Sequence, residues 1–233
     1  MKAYLLQRAL LCGLALLASY SDAAAMAYGL VSFPDGTTAV VAQGRIELNE
    51  AGRLLAGLQL VARGGHAPRT LIISSPGGSM VGALHLGEIV RRLGLQTSVG
   101  RIAINSSGQR EVTSGLCGSA CMYVLMGGVS RTIRPGSVVA VHSPEISVTA
   151  GGRRYIIDPM TTRRVVRGTE PILRSYARHM GVDPNLISVA HGVPHHGARV
   201  LTPSEISRLG LVTTGTKRGP QKTSRRAVRH PAS

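Results

Sequence analysis

Short runs of small and β-branched residues alternate along this chain with apolar positions at helical spacing, and glycines mark several of the joins. From Thr38 the segment TAVVAQGRIEL predicts a strand. Asn49 then offers an N-cap for a helix through GRLLAGLQLVA, with Leu54, Leu55, Leu58 and Val61 on one face and Gly64-Gly65 at its end. Arg69 to Ser74 predicts a short buried strand that runs straight into Ser75-Pro76-Gly77-Gly78. A second helix is expected from near Ser79, with Met80, Ala83, Leu84, Gly87 and Val90 at helical spacing, stopping at Gly94. Gln96 to Gly100 is a further strand, and the polar, Gly/Ser-rich stretch 101–115 predicts a loop or hairpin.

A helix starting at or just after Ser119 places Ala120 to Met126 inside, and Thr132-Ile133 and Val138 to Val141 read as short strands split by Pro135-Gly136. Glu145 to Gly168 reads as a hairpin or loose insertion, and Pro171 to Met180 as a helix. Asp183-Pro184 supplies a cap and a proline at the first helical position for a short helix to about Val189. Thr202-Pro203-Ser204-Glu205 is a capping box ahead of a short helix ending at Gly210. Strands alternating with helices predict an α/β domain.

The first residues depart from this pattern. Lys2 and Arg8 precede an apolar run from Ala9 to Ala18, followed by small residues, which predicts a secretory signal over residues 1–25 cut after Ala25 or Ala27. A retained anchor is the alternative, although the run is shorter than the roughly 20 residues of a membrane span. The protein is thus expected to be exported, periplasmic or secreted, with one domain over residues 26–214 and a basic disordered tail over 215–233. The net charge is +16; loss of Lys2, Arg8 and Asp22 with the signal leaves +15, and with six charges after Thr214 the body carries +9. Such a surface attracts anionic polymers or lipid through the tail by nonspecific electrostatics. One Phe, six Tyr and no Trp leave little for a base-stacking platform, which argues against nucleic acid as a partner of the body.

Candidate chemistry concentrates between Gly115 and Pro144, where a small-residue turn holds Ser119 and an apolar strand leads into His142. A serine hydroxyl becomes a useful nucleophile when an imidazole takes its proton and backbone N–H groups stabilise the oxyanion. The strand ending in Ser75-Pro76-Gly77-Gly78 offers such donors at Gly77 and Gly78, and a helix start at Ser119 adds the N–H of Ala120. After the signal the only lysines are Lys217 and Lys222, in the tail, so a Ser-Lys dyad has no lysine in the body and histidine must be the base. Each feature alone has an ordinary reading: a Pro-Gly-Gly turn, a serine N-cap and a structural histidine.

In this order, the apolar strand into SPGG, the small-residue segment around Ser119, the apolar run to Gly127-Gly128 and Arg131, and His142-Ser143-Pro144 resemble the Clp protease proteolytic subunit within the ClpP/crotonase superfamily. The likeness extends from about Thr38 to Val212, where LTPSEISRLGLV resembles the family's closing helix and strand, and is nearest to exported ClpP-like proteins with cysteines around the serine. It implies a ClpP/crotonase-like fold of repeated β-β-α units. It further implies Ser119 as nucleophile, His142 as general base and then acid, and Gly78 or Gly77 with Ala120 as the oxyanion hole. The family's third triad member, an aspartate that orients the histidine, is missing: Ala198 or a neighbour stands at its place.

The expectation is therefore an exported serine hydrolase acting on peptide or protein substrates, without cofactor, able to form homo-oligomers and without an ATP-driven unfoldase partner outside the cytoplasm. The rival reading is a catalytically inactive ClpP-like binding or scaffold protein of the cell envelope. Cys117 and Cys121 flank the serine, and in an exported protein they pair as a disulfide or stay as two buried thiols. His191, His195 and His196 suggest metal binding, but Gly192 and Pro194 break any common helical face, so no metal site is expected.

Overall fold

The computed structural model describes residues 24–213 except Pro34 and Gly152. The expected secretory segment, save Ala24 and Ala25, and the expected basic tail lie outside these residues. The chain opens with β1 (Ala27–Ser32), β2 (Thr38–Gln43), α1 (Glu50–Arg63), β3 (Thr70–Ser74), α2 (Met80–Arg92) and β4 (Gln96–Val99). A hairpin of β5 (Arg101–Ile104) and β6 (Arg110–Thr113) follows, and then β7 (Leu116–Gly118), α3 (Cys121–Gly127), β8 (Arg131–Ile133) and β9 (Val138–Val141).

The main sheet runs β1-β2-β3-β4-β8, with β1 antiparallel and the other neighbours parallel. Covered on both faces, its inner strands β2 and β3 are near-continuous apolar runs, Ala39 to Ala42 and Leu71 to Ile73. Leu71 and Ile73 of β3 pack with Val40, Ala42 and Val99 in the main core beneath the helices. Ile72 turns the other way, joining Val41 and Val31 against Ile102 and Val112 of the β5–β6 hairpin. That hairpin is what the polar 101–115 stretch becomes.

A smaller sheet crosses the end of the first. Its strands β7 and β9 are parallel, and bridges Ser75–Cys117 and Ile46–Gly78 extend it across the segments that follow β3 and β2. Each unit thus gives one strand to the main sheet, a shorter stretch to the second, and then a helix, as in β3, Ser75 to Gly78, α2 and again in β4, β7, α3. The α/β class and the repeated β-β-α units implied by the resemblance are what the chain adopts. Helix α3 is buried at every residue, burial that contributes about 1.5–3 kcal/mol for each of Val124, Leu125 and Met126. It reaches α2 through glycines: a Cβ on Gly127 would lie 2.3 Å from the Gly87 carbonyl oxygen.

The remaining elements are β10 (Ser147–Ala150), β11 (Arg153–Ile156), α4 (Pro159–His179), α5 (Asn185–His191), β12 (Arg199–Val200) and α6 (Pro203–Arg208). Two expectations need correction here. The stretch 145–168 does form a hairpin, β10–β11, but one that ends at Ile156, and the helix placed at Pro171 begins at Pro159, twelve residues earlier in numbering. Asp158 caps it, accepting from the N–H groups of Met160 and Thr161, and Pro159 sits where no N–H is needed, so the start signal outweighs the cost of Pro171 inside. Asn49 precedes α1 but its side chain makes no capping bond. The box at Thr202 and Glu205 forms as expected. Buried Arg131 ties this last part to the core, donating to the carbonyls of Gly128, Met180, Gly181 and Gly210.

Candidate active site

Parallel pairing of β7 with β9 sets Gly118 beside Ala140, so the residues that leave the two strands, Ser119 and His142, emerge at neighbouring C-terminal ends. Ser119 has φ +52°, the only positive φ at a non-glycine position among the described residues. A serine in the left-handed region costs on the order of 1 kcal/mol and persists only where its surroundings hold it. Here they do. The Gly118 N–H donates to the Ser75 carbonyl at 2.9 Å, the Ser119 N–H donates to the Ala140 carbonyl at 2.8 Å, and Met122 returns a bond to the Ser119 carbonyl at 3.2 Å. Cys117 and Cys121, both fully buried, form a disulfide across the turn, with Cα atoms 5.2 Å apart.

The SPGG segment lies directly against this turn. Gly77 and Gly78 have φ values of +107° and +138°; a Cβ on Gly77 would come within 2.8 Å of the Ser119 Cβ and 3.1 Å of the Ala120 nitrogen. Only glycine fits that approach. The two glycines differ in what their N–H groups do. That of Gly77 donates to the buried Ser75 hydroxyl at 3.0 Å, which removes Gly77 from the expected set of oxyanion donors. The N–H groups of Gly78 and Ala120 have no acceptor among the described residues, and both residues line the same cleft as Ser119 and His142.

His142 is half-buried, and its Nδ1 lies 2.8 Å from the carbonyl oxygen of Ser143. A carbonyl only accepts, so Nδ1 carries the proton and Nε2 keeps its lone pair. The Ser143 N–H in turn donates to the Val193 carbonyl at 2.7 Å, which anchors the peptide unit that orients the ring. Antiparallel pairing of β12 with β9 sets Arg199 opposite Val141, and that register continued by one residue brings Ala198 level with His142. The place where the resemblance expects an aspartate is therefore beside the histidine, and a backbone carbonyl performs the orienting bond instead.

The cleft encloses about 790 Å³, and its walls include Arg45, Met80, Met122 and Glu145. Among the three later histidines, His195 approaches Glu145 at 3.5 Å and packs edge-on against His196. His191 lies 3.5 Å from Glu170, and its two ring nitrogens are buried with no hydrogen-bond partner. Burial lowers its pKa, against the opposing pull of Glu170. No three His, Cys, Asp or Glu side chains converge as a metal site among the described residues.

The structure brings Ser119, His142, Gly78 and Ala120, each singled out in the sequence, to the wall of one cleft. Sequence reasoning missed Ser143, Val193 and Ser75, whose bonds hold the two segments in place. The first two act through backbone atoms and leave no residue-type signal. Ser75 could have been found from its place in SPGG, where a hydroxyl two residues before a glycine N–H forms a local turn.

No protein-family model matches the chain, and no curated protein matches it by sequence. The solved structures similar to it include a serine-to-alanine mutant of the 1510-N membrane-bound stomatin-specific protease, and a lysine-to-alanine mutant of that protease in complex with a substrate peptide. Each is 14% identical with a TM-score of 0.49 over 74% of this chain, covering 75% of the first and 71% of the second.

Proposed function

We propose that the protein is an exported ClpP-like serine hydrolase that cleaves peptide bonds through Ser119 and His142. The observation that carries this reading is the left-handed Ser119 at the mouth of a cleft it shares with a histidine whose Nδ1–H is already committed. In the proposed cycle His142 Nε2 takes the Ser119 proton as Oγ attacks the substrate carbonyl. The N–H groups of Gly78 and Ala120 receive the oxyanion. Collapse expels the amine, which takes the proton from His142, and water, deprotonated by the same nitrogen, releases the acyl group. The imidazolium formed in each half of the cycle is stabilised by the Ser143 carbonyl, a weaker partner than a carboxylate, so a slow enzyme is expected.

Export is supported by the Cys117–Cys121 disulfide, a bond that persists in oxidising compartments. Of the two cut points, cleavage after Ala25 keeps Met26, which is 1% exposed in the core; cleavage after Ala27 would remove Met26 and the first residue of β1.

The test is labelling of the mature protein with a fluorophosphonate, with the adduct located by mass spectrometry. Labelling of Ser119 that disappears in Ser119→Ala and depends on His142 is expected. Absence of labelling in folded, oxidised protein would sink the hydrolase reading and leave the inactive binding protein in its place.

A further inference from the structure

Beside the cleft lies a second cavity of about 760 Å³, and the two share Pro144, Glu145, His191 and His195 in their walls. We infer that this second cavity receives the continuation of the substrate past His142, and that it selects peptides carrying carboxylates next to apolar side chains. The inference rests on the peptidase reading for the identity of its occupant.

Two features give the chemistry. Ile156, Ile157, Pro159 and Val166 supply an apolar lining, between the end of the β10–β11 hairpin and the first turns of α4. On the same helix Arg163 and Arg167 line the cavity four residues apart, a spacing that brings side chains to one face. Neither arginine makes a hydrogen bond or ion pair with any described residue. The carboxylates of the cavity, by contrast, have partners within the protein: Glu170 accepts from Arg174 at 2.7 Å, and Glu145 lies 3.5 Å from His195. The unmatched charge is therefore positive, and it sits where an apolar segment ends. A lysine there would meet two arginines, whereas a glutamate or aspartate would pair with them. Continuity with the cleft makes the occupant the same chain that Ser119 attacks, because Ser143, whose carbonyl orients His142, also lines the second cavity.

The test uses two fluorescent peptides with one apolar centre, flanked at both ends by glutamates or by lysines, and measures their binding to the Ser119→Ala protein by anisotropy. The acidic peptide is expected to bind about tenfold more tightly, the size expected for two partly exposed ion pairs. Arg163→Glu with Arg167→Glu should abolish or invert that preference. Arg92→Glu with Arg208→Glu, which removes the same charge from exposed sites outside both cavities, should leave most of it. Equal affinity for the two peptides, or equal loss in both double variants, overturns the inference. Failure of the peptidase reading shows separately: the wild-type protein then cleaves neither peptide and Ser119 takes no fluorophosphonate, while the binding preference stands.

Discussion

The turn that carries Ser119 and the segment that carries His142 leave adjacent parallel strands, but they are held by different means. The Ser119 turn has a disulfide beneath it, two strand-like hydrogen bonds to Ser75 and Ala140, and a helix buried at every residue behind it. The histidine's segment depends on one carbonyl and one N–H of Ser143, tied to the loop after α5. A strained conformation needs redundant support, since about 1 kcal/mol is released whenever that support slackens. An imidazole needs only a tautomer and a direction, which one carbonyl can set. One carbonyl is thus enough on the histidine's side, where the turn at Ser119 needs several bonds at once.

The sharpest test of that division is chemical. His142→Ala should lower the fluorophosphonate labelling rate of Ser119 by about 10³-fold, because no lysine in the described residues substitutes as base. A variant that still labels within tenfold of wild type would show that Ser119 reacts without the segment assigned to it.

Redundancy on the serine's side makes a second, smaller prediction. Cys117→Ala with Cys121→Ala removes a short loop closure, costing about 2 kcal/mol. For a domain of this size that lowers Tm by roughly 4–8 °C. Labelling should fall less than tenfold, since the bonds to Ser75 and Ala140 remain. A loss beyond 100-fold in protein that still melts cooperatively would mean that the disulfide alone holds the turn.

The same division governs what could be read in advance. Ser119, His142 and SPGG were legible because their chemistry resides in side chains and in glycines at fixed places. Pairing of Cys117 with Cys121 was left open, since spacing four apart permits a bridge only if the backbone at the helix start bends as it does at Ser119. Gly77 could not be separated from Gly78, because the difference is a hydrogen bond from the Gly77 N–H to the Ser75 hydroxyl that depends on the turn's shape. The first half of α4 is hard to read because Pro171, a residue suited to a helix start, sits inside it, while the actual start signal, Asp158-Pro159, lies in a Gly/Arg-rich stretch. Strand β1 went unread because its glycine and alternating exposure give little apolar run, and its place at the edge is set by pairing with β2.

A third substitution probes the histidine's side directly. Ala198→Asp places a carboxylate in the register position opposite His142. If the Ser143 carbonyl already fixes the tautomer, the gain is confined to stabilising the imidazolium, and the labelling rate should rise less than tenfold. A rise of 10² or more would show that the carbonyl orients the ring poorly and that the missing aspartate limits the site.

The smallest effect should appear in the pH dependence of stability, and on one side of the site only. His191 ends α5, two residues before Val193, whose carbonyl anchors Ser143. Burial lowers its pKa, with Glu170 pulling the other way and Arg174 adding to the depression. In the unfolded chain a histidine titrates near 6.5, so as pH falls through that value the unfolded state takes up a proton that the folded state resists. Stability is present in full above about 6.5 and is lost as pH drops toward the lower folded value. The depressed carboxylates Asp158, Glu170 and Glu205 add their losses only at more acid pH, below the ordinary carboxylate range. Thermal melts between pH 7.5 and 5.5 should therefore show a falling Tm in wild type and a flatter profile in His191→Asn. Equal slopes would remove His191 from the support of Ser143, and with it the view that His142 is held less securely than Ser119 as the solution becomes acid.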